Sequence, residues 1–395
     1  MTPESQSYSL DDIRLRLNEL DDQLLQLLSE RRKLSTEVAK SKVKTSKPVR
    51  DASREQELLV KLITNGQKKY NLDTQYITKI FHTIIEDSVL LQQTYLQNLA
   101  NPEIHLNPHV RVAYLGSKGS YSHLATLEYF NRKNTDVIEL NCDGFKDITT
   151  TVESGHADYG VLPIENTSSG SINEVYDLLQ HTTLSIVGEI TLPIEHCMLA
   201  TSDIRLEDIR TLYSHSQPLQ QCGEFISGMK DVTLESTLST ADAMMKVKEL
   251  NQKDCAAIGN ASSGKLYGLQ PIQANIANQT ENFTRFILVA RKPVEVSQQI
   301  PAKTTIIMST PQKVGSLVSA LQVLQHYGIN LTKLVSRPII GNPWEEMFYV
   351  DLEAHLHSVQ MQQALENLIK FTKHLKVLGC FPIENVKPTQ IQFNE

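Results

Sequence analysis

The strongest constraint in this sequence is a long run of helix-forming residues near its start, whose apolar side chains recur every three or four positions. Residues 8–100 contain one glycine and one proline, Pro48. Because proline interrupts a helix, we expect a first helix of about 35 residues before Pro48, a second after it, and a third from about Thr74 to Leu99. A helix this long in so short a segment needs a partner to cover its apolar stripe. The stripe consists of Ile13, Leu17, Leu20, Leu24, Leu27, Leu34 and Val38.

The pattern changes after this helical section. From 110 to 291, short apolar runs alternate with helical segments, which predicts an α/β domain, and a span of about 180 residues favours two lobes with a cleft. The last part of the chain follows the order strand, helix, strand, strand, helix, strand, which is the ferredoxin-like arrangement. Proline-containing linkers are predicted at 100–109 and 292–303.

Composition excludes several classes of protein. A chain of 395 residues with 21% charged and 40% hydrophobic residues is typical of a soluble protein with several domains. A net charge of −7 argues against nucleic acid as a partner. The five cysteines form no CxxC pair, which favours a reducing compartment and no structural zinc. The polar N-terminus and the lack of an 18-residue apolar run predict a cytoplasmic protein without a membrane partner.

Cations interrupt the apolar stripe of the first helix. Arg31 lies four residues after Leu27, and Lys42 and Arg14 lie on or beside the same stripe. A charge on a buried helix face costs several kcal/mol unless it is paired. Arg31 therefore either pairs with a carboxylate or reaches water, or it belongs to a buried anion site. Three cations on one stripe favour the anion site.

The spacing of these cations has a consequence for assembly. Arg14 and Arg31 are separated by roughly 25 Å along one helix, at 1.5 Å per residue. They cannot bind one small molecule from the same helix. If both are ligands, Arg14 must come from a second chain, which predicts a dimer built on the long helix.

Three motifs of this section, ERRKLSTEVAKSK, PVRDASRE and IIEDSVLLQQ, resemble the all-helical class of chorismate mutase, in which two chains interlock. The resemblance implies that the substrate carboxylates are held by Arg14 of the second chain, Arg31 and Arg54. It also implies that Lys42 and Gln92 bond the ether oxygen, while Asp51, Glu55 and Ser88 position the ring and its hydroxyl. The Claisen rearrangement of chorismate to prephenate needs only a held dianion and donors aimed at an oxygen that gains charge. Asp51 as a helix N-cap and Glu55 as an exposed helix charge remain the alternatives.

Two loops of the α/β section are rich in small polar residues. PIENTSSGSI (163–172) follows an apolar strand and precedes a helix, where ligands of α/β domains usually bind. GSKGSYSHLA (116–125) follows the first strand in the same way. Backbone amides and hydroxyls in such loops bind anions at a helix N-terminus, or they only cap the helix. Neither loop carries a dinucleotide fingerprint or a Walker lysine, so a nucleotide site is excluded.

Together with YSHSQPLQQC and NFTRF, these loops resemble prephenate dehydratase over the whole middle section. The resemblance implies a two-lobed α/β fold similar to periplasmic binding proteins, with the site in the cleft. It implies that Thr284 bonds or protonates the departing hydroxyl of prephenate, with Glu165 as a candidate partner acid. Asn166, Thr167 and Ser168 would hold carboxylates. Arg285 either binds an anion or forms a structural ion pair.

The C-terminal section resembles an ACT domain, an α+β regulatory module that binds amino acids. Its motifs GSLV and SRPIIGNPWEEMFYVD match the phenylalanine-binding pattern of dehydratases and imply that L-phenylalanine inhibits the enzyme. The implied effector residues are Gly315, Ser316, Leu317, Val318, Ser336, Arg337 and Pro338. Val335 occupies a position where such dehydratases often carry an acidic residue. Its absence predicts weaker inhibition if that carboxylate holds the effector or the closed interface, and unchanged inhibition if the side chain only packs or points into solvent.

The order of the three sections is that of the bifunctional chorismate mutase/prephenate dehydratase family. The expected domains are an all-α intertwined-dimer mutase at 1–100, a dehydratase at 108–291 and an ACT domain at 302–385. We expect a homodimer or higher oligomer with no metal or organic cofactor. The alternative is a non-enzymatic small-molecule sensor with a helical dimerisation arm, in which leucine at position 31 would serve better than arginine.

Overall fold

The computed structural model describes residues 9–45, 47–102, 109–133, 135–201, 204–339, 341–342 and 344–383. The predicted linker at 100–109 and the expected C-terminal domain end fall partly outside these ranges. Among the described residues, 9–102 and Ser297–Ile300 form one compact unit, and 109–296 with 301–383 form a second. No helix in the described part of the chain is long and apolar enough to cross a membrane.

The first unit consists of the three predicted helices. They are α1 (Leu10–Thr45), α2 (Ala52–Tyr70) and α3 (Thr74–Ala100). α1 ends before Pro48, as expected of a residue that cannot continue a helix. Asp73 caps α3 by accepting bonds from the backbone N–H groups of Gln75 and Tyr76. The prediction of a first helix of about 35 residues is confirmed.

The apolar stripe of α1 is exposed in this unit. Its seven predicted members are between 44% and 65% exposed. The buried residues of α1 are the small side chains Ser35 and Ala39. The segment Ser297–Ile300 joins the unit through two hydrogen bonds, from Val49 N to the Gln299 carbonyl (2.9 Å) and from Gln299 Nε2 to the Lys42 carbonyl (2.7 Å).

The second unit alternates strands and helices. Its strands are β1 (His109–Leu115), β2 (Asp136–Cys142), β3 (Tyr159–Asn166), β4 (Gly170–Ser171), β5 (Ser185–Pro193), β6 (Cys197–Ala200), β7 (Thr211–Ser214), β8 (Thr233–Ser236), β9 (Cys255–Gly259), β10 (Gln270–Gln273), β11 (Phe283–Ala290), β12 (Ala302–Ser309), β13 (Asn330–Pro338), β14 (Glu346–Glu353) and β15 (His374–Pro382). Its helices are α4 (Tyr121–Asn131), α5 (Phe145–Glu153), α6 (Asn173–His181), α7 (Ser216–Gln221), α8 (Gly223–Ser227), α9 (Thr240–Leu250), α10 (Ala261–Leu266), α11 (Ser316–His326) and α12 (Val359–Leu368).

Two of its sheets make the two predicted lobes. Lobe 1 has the strand order β2-β1-β3-β11-β5, with β4 paired to β3. Lobe 2 has the order β10-β6-β9-β7-β8. β11 returns from lobe 2 to lie antiparallel between β3 and β5 in the middle of lobe 1. This return brings the NFTRF motif beside the end of the PIENTSSGSI strand.

The third sheet confirms the predicted strand–helix order and has the strand order β13-β14-β12-β15. One face of it is covered by α11 and α12, as the shared cluster of buried side chains shows. Its other face packs on lobe 1, where Ile307, Tyr349 and Phe381 join a cluster that contains Ile186. At Gly379 the two sheets approach so closely that an added Cβ atom would overlap the backbone of Ile186.

Candidate active sites

The first candidate site lies between α1 and α3. Arg31 is half-buried, and its Nη1 donates to the Ile84 carbonyl (3.0 Å) and to the Ser88 hydroxyl. Burial lowers the pKa of Arg31, and the nearby Asp87 carboxylate opposes that shift. Both of these acceptors on α3 are uncharged. The positive charge of Arg31 is therefore not neutralised by them and can bind an anion.

Gln92 lies one turn beyond Ser88 on α3. Both side chains are buried, and Gln92 Nε2 donates to the Ser88 carbonyl (3.1 Å). Gln92 Oε1 has no hydrogen-bond partner in the described part of the chain. Buried polar atoms are almost always satisfied, so an unmatched amide oxygen marks a place where a ligand or water completes the bonding. The structure thus brings Arg31, Ser88 and Gln92 together.

Lys42 lies further along α1 than Arg31, near the start of α2. The Lys42 amine donates to the Val49 carbonyl. Burial lowers the pKa of Lys42, and the carboxylates of Asp51 and Glu55 oppose that shift. A half-buried ammonium group is therefore held near the position where the chain enters α2.

Residues 51–55 resolve the alternatives raised by the sequence. Asp51 is the N-cap of α2 and accepts from Arg54 N at 3.0 Å. Glu55 is not an exposed helix charge: its side chain is 12% exposed and lies 3.1 Å from Arg50 Nε. Arg54 is exposed and pairs with Glu57. Arg14 is also exposed, beside Asp11, and within one chain it is not brought to Arg31.

The second candidate site lies at the ends of β3 and β11. Asn166 and Thr284 are opposite each other in the antiparallel ladder, and Asn166 Nδ2 donates to Thr284 Oγ1 at 2.9 Å. The same amide group donates to Asn282 Oδ1 at 2.7 Å. Because Asn166 donates to the Thr284 oxygen, the hydroxyl proton of Thr284 is free to point at a ligand.

Asn166 also organises the small polar loop that follows it. Its Oδ1 accepts from the backbone N–H groups of Ser168 and Ser169, both at 3.0 Å. Thr167 is used differently, because its hydroxyl accepts from Phe283 N at 2.9 Å and ties the loop to β11. The loop is therefore preorganised by its own side chains, and the oxygen of the Thr167 hydroxyl is bonded to β11.

Sequence reasoning missed the residues that face this loop from lobe 2. Gln217 Nε2 donates to Ser169 Oγ (2.6 Å), and Gln221 Nε2 lies 3.3 Å from Asn166 Oδ1. Gln221 Oε1 bonds Nε2 of the buried His196 at 2.8 Å. Burial lowers the pKa of His196, and the bond to Gln221 opposes that shift without cancelling it. The motif YSHSQPLQQC could have indicated these residues, because Gln217 and Gln221 are four residues apart and side chains at that spacing share one face of a helix.

The structure does not bring the side chains of Glu165 and Arg285 to Thr284, for a geometric reason. Adjacent residues of a strand point to opposite faces of the sheet. Glu165 and Arg285 pair in the ladder next to Asn166 and Thr284, so their side chains point away from the polar loop. Glu165 pairs with Lys333 of β13, and Arg285 lies 2.7 Å from Glu189 and 2.6 Å from Asp351. Arg285 is therefore the structural ion pair that the sequence left open.

A hydrogen bond joins the GSKGSYSHLA loop (116–125) to lobe 2. Ser117 Oγ donates to Asp242 Oδ1 at 2.9 Å. Ser120 caps α4, as the alternative interpretation of this loop predicted. The buried His123 accepts from Gly119 N through Nδ1 at 3.0 Å and holds the loop in shape.

The predicted effector residues divide into two groups. Gly315, with φ of 80°, begins α11, and Ser316, Leu317 and Val318 form its first turn. Ser336 and Pro338 are exposed on β13. Arg337 does not belong with them, because its guanidinium group lies on the other face of β13 and binds Asp177 of lobe 1 at 2.9 and 2.8 Å. Val335 is partly buried and packs against the lobe 1 cluster.

Comparisons with known proteins assign a family to each of two parts of the chain. Residues 13–93 match the chorismate mutase type II family, and residues 112–294 match the prephenate dehydratase family. A bifunctional chorismate mutase/prephenate dehydratase of Enterobacter agglomerans is 53% identical over 99% of both chains. The protein of that description from Escherichia coli K12 is 53% identical over 95% of this chain and 97% of its own. A solved prephenate dehydratase of Arthrobacter aurescens in complex with L-Phe has a TM-score of 0.64 and 24% identity, covering 72% of this chain and 93% of its own, and shares the fold. The chain belongs to the family of bifunctional chorismate mutases/prephenate dehydratases.

Proposed function

We propose that this chain rearranges chorismate to prephenate in its helical unit and converts prephenate to phenylpyruvate in the cleft of its second unit, two consecutive steps of phenylalanine biosynthesis. Identity of 53% over 99% of a bifunctional relative supports both activities. The observation that carries the second activity is the hydrogen bond from Asn166 to Thr284 at the mouth of the cleft.

In the mutase step, Arg31 binds a carboxylate of chorismate through its charged fork. Lys42 and Gln92 donate to the ether oxygen, which gains negative charge as its bond to carbon breaks. The desolvation that lowers the pKa of Lys42 also strengthens its interaction with that charge. No proton transfer or nucleophile is required.

In the dehydratase step, the ring carboxylate of prephenate leaves as CO2, and its electron pair enters the ring as the hydroxyl group departs from the opposite carbon. The ring becomes aromatic. Thr284 donates its free hydroxyl proton as a hydrogen bond to the departing oxygen, and Asn166 holds Thr284 in that orientation. Ser168, Ser169, Gln217 and Gln221 supply the neutral hydrogen-bonding groups around the carboxylates.

The exposed stripe of α1 supports a dimer in which a second chain covers it. Each of the seven apolar residues is at least 44% exposed. Burial of such a stripe is favourable at roughly 25 cal/mol per Å². The same pairing brings Arg14 of one chain to the Arg31 site of the other.

L-Phenylalanine is the proposed inhibitor of the dehydratase step, bound by the C-terminal ferredoxin-like sheet acting as an ACT domain. The Arthrobacter aurescens dehydratase, solved in complex with L-Phe, supports this choice of effector. The first turn of α11 and the exposed residues of β13 are the proposed contacts.

The direct test supplies chorismate to the purified protein and follows prephenate and phenylpyruvate separately. We expect prephenate to form and then to be consumed as phenylpyruvate appears. A small-molecule sensor would consume neither compound, and formation of prephenate alone would contradict the dehydratase assignment.

A further inference from the structure

Eight charged side chains lie where the third sheet packs on lobe 1, and we call them the charge cluster. Their side chains are at most 32% exposed. Four are acidic and four are basic, so the charges balance. The members are Glu165, Asp177, Glu189, Arg285, Lys303, Lys333, Arg337 and Asp351.

Every member of the charge cluster forms an ion pair with another member. Lys333 binds Glu165, and Arg337 binds Asp177. Arg285 bridges Glu189 and Asp351, and Asp351 also accepts from the Thr305 hydroxyl at 2.6 Å. Burial alone would lower the pKa of Arg285, but the carboxylates raise it above its ordinary value. Arg285 and its two carboxylates are at most 16% exposed, and removing one partner of such a buried pair is strongly destabilising, so this contact resists separation.

The cluster shares its strands with the dehydratase site. Glu165 and Arg285 form the ladder pair next to Asn166 and Thr284. A bulge between Arg285 and Phe286 follows immediately, and bulges adjust the direction of neighbouring side chains. A displacement of Glu165 or Arg285 by their partners therefore also displaces the Asn166–Thr284 pair on the opposite face.

The other end of the cluster lies on the proposed effector strand. Along β13, Lys333, Val335 and Arg337 are partly buried, whereas Ser336 and Pro338 are exposed. Gln312, in the segment before α11, donates to the Trp344 carbonyl, in the segment after β13. One strand thus has proposed effector contacts on one face and cluster cations on the other.

We propose that Lys333 and Asp351 are positioning residues for the dehydratase reaction, which transmit effector binding on β13 to the Asn166–Thr284 pair through Glu165 and Arg285. This inference rests on the proposed phenylalanine inhibition. Phenylalanine can change the dehydratase site only if it binds one arrangement of the protein more tightly than another. In this proposal the two arrangements differ in the contacts of the charge cluster between β13 and lobe 1.

The experiment compares the full chain with its Lys333→Met variant, with Lys370→Met as the matched control. Lys370 is exposed, lies just after α12 and bonds Asn367 of that helix. Phenylalanine binding is measured by calorimetry, and phenylpyruvate formation is measured with and without phenylalanine. For Lys333→Met we expect a phenylalanine binding constant within about twofold of the parent chain, and at least a fivefold rise in the phenylalanine concentration that halves the variant's own uninhibited rate. Lys370→Met should match the parent chain.

A Lys333→Arg variant keeps the cation and should be inhibited like the parent chain. This result would show that Lys333→Met loses inhibition because it loses the charge, and not because the fold is damaged. Parallel changes in binding and inhibition would overturn the inference, because they would place Lys333 in the effector site itself. Unchanged inhibition in Lys333→Met would overturn it as well. If the parent chain binds phenylalanine without being inhibited, or does not bind it, the proposed regulation fails, and this inference fails with it.

Discussion

At the scale of single residues, the direction of one hydrogen bond supports the proposed role of Thr284. Asn166 donates to the Thr284 oxygen, so the threonine proton is free to point at a ligand. A threonine hydroxyl is a weak acid, and its contribution is a positioned hydrogen bond to an oxygen that gains charge. Glu165 is adjacent in sequence but is bound to Lys333 on the other face.

Replacing Thr284 with valine should therefore abolish phenylpyruvate formation selectively. Valine keeps the shape and removes the proton, and we expect a loss of at least about 100-fold in kcat with mutase activity unchanged. Glu165→Gln, its neighbour on the opposite face, should lose less than about tenfold. Steady-state kinetics on added prephenate measure both. Equal losses of kcat in the two variants would indicate that Glu165 also acts on the substrate.

Replacing Arg31 with leucine should have the complementary effect. The substitution removes the carboxylate ligand, so mutase activity should fall by at least about 100-fold while dehydratase activity on prephenate persists. A half-buried cation gives way to an apolar side chain, so the thermal midpoint of the helical unit should be kept or raised. Substantial prephenate formation by this variant would contradict the helical site.

At the scale of elements, β15 approaches β5 closely at Gly379. An added Cβ at Gly379 would overlap the Ile186 carbonyl group, whereas Gly223 has open space around it. Backbone atoms in packed strands cannot move aside as a flexible side chain does.

Gly379→Ala should accordingly destabilise the second unit by about 1–3 kcal/mol. Gly223→Ala, at the start of α8, is the matched control and should be close to neutral. Thermal unfolding followed by circular dichroism compares the two. An unchanged midpoint for Gly379→Ala would mean that the two sheets do not pack at this distance.

β13 provides a second test at this scale. Val335 packs against lobe 1 between Lys333 and Arg337, so Val335→Glu adds a carboxylate beside two cluster cations. We expect phenylalanine to inhibit this variant at a lower concentration than the parent chain, because the added charge strengthens the contact between β13 and lobe 1. An unchanged inhibition curve would show that packing alone matters at position 335.

The elements were largely predictable from sequence, whereas the orientation of several side chains was not. Helix spacing, Pro48 and the strand–helix order of the last section depend on local chemistry, which the sequence contains. The opposite faces of Glu165 and Thr284 depend on the register between β3 and β11, more than a hundred residues apart. Gln217 and Gln221 were missed because only the folded cleft brings lobe 2 to the Asn166 loop.

At the scale of the whole molecule, the two proposed sites differ in what they require. The described groups of the proposed dehydratase site all come from one chain, whereas the proposed mutase site also takes Arg14 from a second chain. Dilution should therefore lower mutase activity per chain while dehydratase activity per chain is maintained. Assays over a wide range of protein concentration measure this. A parallel loss of both activities, or no loss of either, would contradict the shared mutase site.

The segment Ser297–Ile300 has a consequence for how the molecule is made. It belongs to the helical unit, where Gln299 bonds Val49 and Lys42, although nearly two hundred residues of the second unit separate it from α3. During synthesis from the N-terminus, the three helices leave the ribosome long before this segment does. The two hydrogen bonds that this segment makes beside Lys42 can therefore form only after lobes 1 and 2 have been translated.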